Sequence, residues 1–252
     1  MAAVLAGCGS TPQDEHAGKS VEELYAEARE EMEAGAFDRA TTLYEKLEAR
    51  AAGTPLAEQA QLDLAHAYYK ARERALALST IERFLKRHPS SPAADYAWYL
   101  QGLINFNEDL GLFSRFSGQD LSERDQQASR DAYQAFKQVV EGWPESKYAE
   151  DSRLRMNYIL NALATYEVHV ARYYYRRGAY LAAANRAQQA VQEFQTAPAI
   201  EEALFLMAAS YDKLGMAQLR DDAMRVLNTS FPDSEFPRRG LAEIDRSWWR
   251  LW

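Results

Sequence analysis

A self-similarity of about 34 residues runs through this 252-residue chain, and it limits the possible folds more than any other feature. The clearest unit carries Ala65, Tyr68, Ala77, Ile81, Phe84 and Pro89. Small residues at Ala65 and Ala77 let two helices approach, larger ones at Tyr68, Ile81 and Phe84 fill the space around them, and Pro89 stops the second helix. Four more segments repeat these landmarks. They are Leu24, Ala28, Gly35, Phe37, Ala40, Tyr44 and Leu47; Trp98, Gly102, Ala132, Phe136, Val139 and Pro144; Ala171, Tyr174, Gly178, Tyr180, Ala183, Ala187 and Ala190; and Leu204, Ala208, Tyr211, Gly215, Met224, Leu227 and Pro232. Gly35, Gly178 and Gly215 fall where the first helix of a unit ends, a position that favours the left-handed conformation. The expectation is an all-α fold, a right-handed superhelical solenoid of about five helix–turn–helix repeats.

The period and spacings are those of the tetratricopeptide repeat. Such arrays offer extended surfaces to other polypeptides. The third unit departs from the pattern: thirty residues separate Gly102 from Ala132, against twelve between Ala65 and Ala77. The excess, about 107–126, contains Leu110, Leu112, Phe113 and Phe116. Apolar residues in a loop either fold back onto the solenoid or offer a patch to a partner. The stretch Lys147 to Thr165 lengthens the first helix of unit four to about 30 residues.

Charge and composition close off several functions. With 29 Lys and Arg against 37 Asp and Glu, the net charge of −8 gives no support for a nucleic-acid partner. No apolar run reaches the roughly 18 residues of a membrane-spanning helix. Cys8, the only cysteine, follows Leu5, Ala6 and Gly7, and this quartet resembles a bacterial lipobox, in which the cysteine is acylated after cleavage. The alternative is a chance thiol in an unstructured terminus. Residues 1–7 then read as the remainder of a signal peptide, and 8–20 as a lipidated cysteine with a polar tether. Several acyl chains hold a protein stably at a bilayer where one does not. Repeats one to three occupy 21–146, repeats four and five 147–233, and a capping helix or tail 234–252. In that tail Leu241, Ile244, Trp248 and Leu251 recur at helical spacing, either sealing the last repeat or docking a partner.

Helical periodicity turns a second face of each first helix toward the inner curve of the array. In unit one it carries Tyr25, Arg29 and Met32; in unit two Leu62, His66 and Tyr69, with Lys70 beside them; in unit three Tyr96, Tyr99, Leu103 and Phe106. Aromatic and cationic side chains are enriched at binding hot spots, and an extended peptide with an aromatic side chain and a terminal carboxylate suits them. The competing reading is that some of these rings pack between neighbouring units. No spacing suggests catalysis, a metal or a cofactor. The four histidines are His16, His66, His88 and His169, without HExxH or Cys/His ligand spacing, and there is no phosphate-binding glycine loop or GxSxG elbow.

The lipobox-like cysteine, short tether, five repeats and long third-repeat insertion together resemble the BamD/ComL family. These are tetratricopeptide lipoproteins of the machinery that assembles β-barrel proteins in the bacterial outer membrane. The strings carrying the resemblance are RHPSSPAADYAWYLQGL (Arg87 to Leu103), AFKQVVEGWPESKYAEDS (Ala135 to Ser152) and YEVHVARYYYRRGAYLAAANR (Tyr166 to Arg186). The resemblance implies a scaffold and substrate receptor, lipid-anchored to the periplasmic face of the outer membrane, with no enzymatic activity. Its N-terminal units would receive unfolded outer-membrane protein chains by their C-terminal aromatic signal. Its C-terminal units would bind a BamA-like barrel subunit, for which the surface around Arg176, Arg177 and Arg186 is the choice, and sister lipoproteins would lie along the solenoid. The alternative is another periplasmic tetratricopeptide lipoprotein, an adaptor for peptidoglycan or secretion machinery.

Overall fold

The computed structural model describes residues 16, 18–106 and 123–240. Cys8, positions 107–122 of the insertion and the tail from Leu241 lie outside them. Among the described residues the chain is helical and contains no strand. The helices are α1 (Val21–Glu33), α2 (Phe37–Arg50), α3 (Pro55–Lys70), α4 (Arg74–Arg87), α5 (Ala94–Asn105), α6 (Glu123–Gly142), α7 (Ala149–Arg176), α8 (Tyr180–Glu193), α9 (Ile200–Lys213) and α10 (Ala217–Ser230). A helical turn at 236–240 follows. This is the all-α tetratricopeptide-repeat solenoid that the periodicity predicts.

Local chemistry sets the helix ends. Ser20 opens α1 with a reciprocal capping box: Glu23 N–H donates to Ser20 Oγ at 3.1 Å and Ser20 N–H donates to Glu23 Oε2 at 2.8 Å. Two of the amides that a helix start leaves unpaired are thereby satisfied. Thr54 caps α3 and Pro55 takes its first position, where a missing N–H costs nothing. After α1 the chain turns through Gly35 at φ 76°, with Ala36 N–H donating to Glu31 O at 2.8 Å. That six-to-one bond is the Schellman closure, and it recurs after α7 and α9 through Gly178 and Gly215. The turn after α3 makes the same bond, Glu73 N–H to Tyr68 O at 2.9 Å, but a non-glycine residue, Arg72, holds the left-handed position at φ 64°.

The chain divides into two compact units, Met1–Ile104 and Asn105–Trp252. The division falls between the two helices of the third repeat, and α6 packs against α7. In the first unit α1 packs on α2, α2 on α3 and α3 on α4. Leu24, Ala28, Ala40, Leu47, Ala65, Ala77, Ile81 and Phe84 are fully buried between them, joined from α5 by Ala97 and Leu100. Each large side chain among these contributes about 1.5–3 kcal/mol by leaving water.

In the second unit α7, 28 residues long, packs against α6, α8 and α9. The inner face of α8 is built from Ala183, Ala184, Ala187 and Ala190, all fully buried, which lets neighbouring helices approach closely. Ion pairs tie the helices laterally. Arg172 Nε on α7 donates to Glu202 on α9 at 2.7 Å, Arg130 on α6 donates to Glu193 on α8 at 3.0 Å, and Arg186 on α8 reaches Glu167 on α7 at 3.1 Å.

Candidate peptide-binding cleft

A cleft of about 560 Å³ opens in the first unit between α1, the start of α2 and α3. Tyr25, Arg29, Met32 and Glu33 come from α1, Gly35 from the turn, Phe37 and Tyr44 from α2, and Asp63, His66 and Lys70 from α3. The aromatic walls are held in place by packing and by one polar contact. Tyr25 and Tyr44 meet edge to face, centroids 6.2 Å apart, and the Tyr25 hydroxyl donates to Asp63 Oδ2 at 2.9 Å. Gln59 Nε2 donates to the other carboxylate oxygen at 3.1 Å, so the half-buried Asp63 has both oxygens occupied.

Burial governs the titration of these groups. It raises Asp63 above the ordinary aspartate range, against the pull of its two hydrogen bonds. Burial first, and the Asp63 charge second, push Tyr25 up to about 12. Tyr44 is also raised, mainly by burial. His66 is lowered, first by burial and then by the neighbouring Lys70 charge, so it is neutral at pH 7. The permanent cations of the cleft are Arg29 and Lys70, both exposed; Arg29 pairs with Glu33 at 3.5 Å. Apolar walls with cations at the edge suit an aromatic side chain beside a carboxylate.

Five of the groove residues expected from sequence meet here: Tyr25, Arg29, Met32, His66 and Lys70. The others go elsewhere. Leu62 is 2% exposed and belongs to the core of the first unit, where no ligand reaches it. Tyr69 stacks near His66 at 6.5 Å and, like Tyr96, packs partly buried against that core. Tyr99 and Leu103, on α5, are partly buried and do not line the cleft. Phe106 belongs to the second unit, edge-on to Phe136 and Tyr158 with the Arg155 guanidinium 4.8 Å from its ring centre.

Asp63, Phe37, Tyr44 and Glu33 were missed. Asp63, His66 and Lys70 share a stripe at spacings of three and four. That stripe shares His66 with the Leu62–His66–Tyr69 stripe read from the repeat pattern, but takes Asp63 and Lys70 in place of Leu62 and Tyr69.

In the second unit Arg176 and Arg177 are exposed at the end of α7, with the Arg177 guanidinium 5.4 Å from the Tyr173 ring centre. Tyr173 is 55% exposed and Leu181, the second residue of α8, 57%. Arg186 is different, since its partner Glu167 is almost wholly buried. Among the described residues no three His, Cys, Asp or Glu side chains converge to hold a metal, and no helix is long and apolar enough to cross a membrane.

Comparison with known families matches residues 17–227 to YfiO, described as an outer membrane lipoprotein. A protein of Neisseria meningitidis serogroup A, named outer membrane protein assembly factor BamD, is 48% identical over 92% of this chain and 87% of its own length. The protein of that name from Neisseria gonorrhoeae is 47% identical over the same shares. The one from Xylella fastidiosa strain Temecula1 is 35% identical over 91% of this chain and 79% of its own length.

Proposed function

The chain belongs to the YfiO family of outer membrane lipoproteins, to which the BamD assembly factors are its relatives, and we propose that its first unit receives unfolded outer-membrane proteins in the cleft between α1 and α3. It is an outer membrane protein assembly factor, a subunit of the machinery that inserts β-barrels. Within that role the cleft carries the receptor reading. An aromatic side chain at the C-terminus of a client enters between Tyr25, Phe37 and Met32, while its carboxylate stays at the cationic edge formed by Arg29 and Lys70. Client binding of this kind needs no covalent chemistry, and the protein acts as a scaffold rather than an enzyme.

The remaining assignments complete the scheme. The exposed Arg176 and Arg177, with Tyr173 and Leu181, form the docking surface for a BamA-like barrel subunit, and sister lipoproteins lie along other faces of the repeats. Arg and Tyr are favoured at such hot spots. Acyl chains on Cys8 hold the protein at the periplasmic face of the outer membrane.

The test is a titration of peptides copied from barrel C-termini against the wild type and the Arg29→Ala and Met32→Ala variants. Loss of a hot-spot contact weakens binding about tenfold or more, with helicity by circular dichroism unchanged. Unchanged affinity in both variants removes the cleft from the account. Mass spectrometry of the mature N-terminus tests Cys8 directly.

A further inference from the structure

The turn that closes α3 holds a residue that local backbone energetics disfavour. Arg72 sits at φ 64°, whereas the matching turns after α1, α7 and α9 place glycine at 76°, 76° and 72°. For a side chain bearing Cβ this conformation is strained, and non-glycine residues kept in it cluster where function retains them. The rest of the turn is ordinary: Arg72 N–H donates to Tyr69 O at 3.2 Å and Glu73 N–H to Tyr68 O, the closure the glycine turns make. The hydrogen bonding therefore demands a left-handed residue, and nothing in it demands arginine.

Position supplies the reason. Lys70, two residues earlier, lines the cleft, as do Gly35 and Phe37 at the corresponding turn of the first hairpin. Arg72 follows Lys70 by two residues, on the turn that continues from the cleft-lining end of α3, and is exposed like it. Among the described residues neither side chain is engaged in an ion pair, whereas Arg29 is matched by Glu33. Two uncommitted cations beside an aromatic cleft, on a protein of net charge −8, complement an anionic ligand group.

We infer that Lys70 and Arg72 form a cationic lip to the cleft and hold a carboxylate of the polypeptide whose aromatic side chain fills it. This rests on the cleft being the client site. It adds Arg72, which lies outside the cleft lining, as a residue that determines specificity. The carboxylate belongs either to the client's C-terminus or to an acidic side chain a few residues upstream.

The experiment uses the full chain and a fluorescent decapeptide that ends in phenylalanine and contains one internal glutamate. Two derivatives accompany it, one amidated at the C-terminus and one with glutamine in place of glutamate. Against the wild type, one derivative loses about two- to fivefold in affinity, as expected for an exposed charge pair, and the loss shrinks as salt is raised. Whichever derivative weakens identifies the carboxylate. In Arg72→Gly that loss shrinks or vanishes, while Arg72→Lys retains it. Arg72→Gly also melts roughly 2–4 °C higher, because the strain is relieved, so weaker discrimination cannot be ascribed to unfolding. If the wild type binds the parent peptide but Arg72→Gly discriminates among the three as well as wild type does, the lip is wrong and the cleft reading survives. If the wild type binds none of them, the cleft reading falls and the lip with it.

Discussion

Glu167 carries a carboxylate into the interior of the second unit, 2% exposed, with Arg186 as its ionic partner. Removing Arg186 leaves that carboxylate buried without its cation. Arg186→Ala should therefore lower stability by about 1–3 kcal/mol, and Arg186→Ala with Glu167→Gln should recover part of it. Chemical denaturation of the wild type and the two variants measures both. Loss of partner binding in Arg186→Ala then has to exceed what destabilisation explains before the residue counts as an interface contact. His66 behaves differently. Its folded pKa lies below the ordinary 6.5, so the stability it contributes is present above 6.5 and is lost as pH falls through the depressed value. Melting temperature should fall on acidification below 6.5, and His66→Gln should flatten that part of the curve. Asp63, raised by burial, has the opposite sign and takes up its proton to the benefit of the native state; because the two charges act on each other, the difference between variant and wild type reports His66 together with its effect on Asp63.

Helices obey the sequence period closely. Leu24, Ala28, Ala40, Leu47, Ala65, Ala77, Ile81 and Phe84, all landmarks of the repeat, are fully buried, and the long first helix of unit four is 28 residues. Such positions are legible because interhelical approach admits few residue sizes at each. The cleft was only half legible, for two physical reasons. Leu62 lies on the expected stripe, but the packing of α2 against α3 buries it and turns the Asp63–His66–Lys70 stripe outward. Phe37 and Tyr44 come from α2, whose landmarks read as core, and Tyr44 is both, 2% exposed and yet a wall of the cleft. Arg72 was invisible because glycine alone announces a left-handed turn in sequence. At this scale the alanine face of α8 gives a sharp expectation. Ala187→Leu overfills a contact made by a fully buried methyl group and should cost about 1–3 kcal/mol, read as a lower urea midpoint.

For the whole molecule, two compact units imply that a ligand seated in one of them stabilises that unit first. Client peptide at a hundred times its dissociation constant should add about 2.7 kcal/mol to the opening free energy of amides in α1 to α3. Hydrogen exchange reads this residue by residue, with α8 to α10 as internal reference. Protection confined to the first unit means that client capture and partner docking are independent events. Protection spreading into α8 to α10 means that the two surfaces are energetically coupled.

Phe106 bears on how the second unit begins. Its ring is seated on Phe136 of α6 and Tyr158 of α7, so the chain leaves at 106 and returns at Glu123 on the same compact body. Phe106→Ala removes an aromatic contact that α6 and α7 share, and the loss should appear as a lower melting temperature of the second unit.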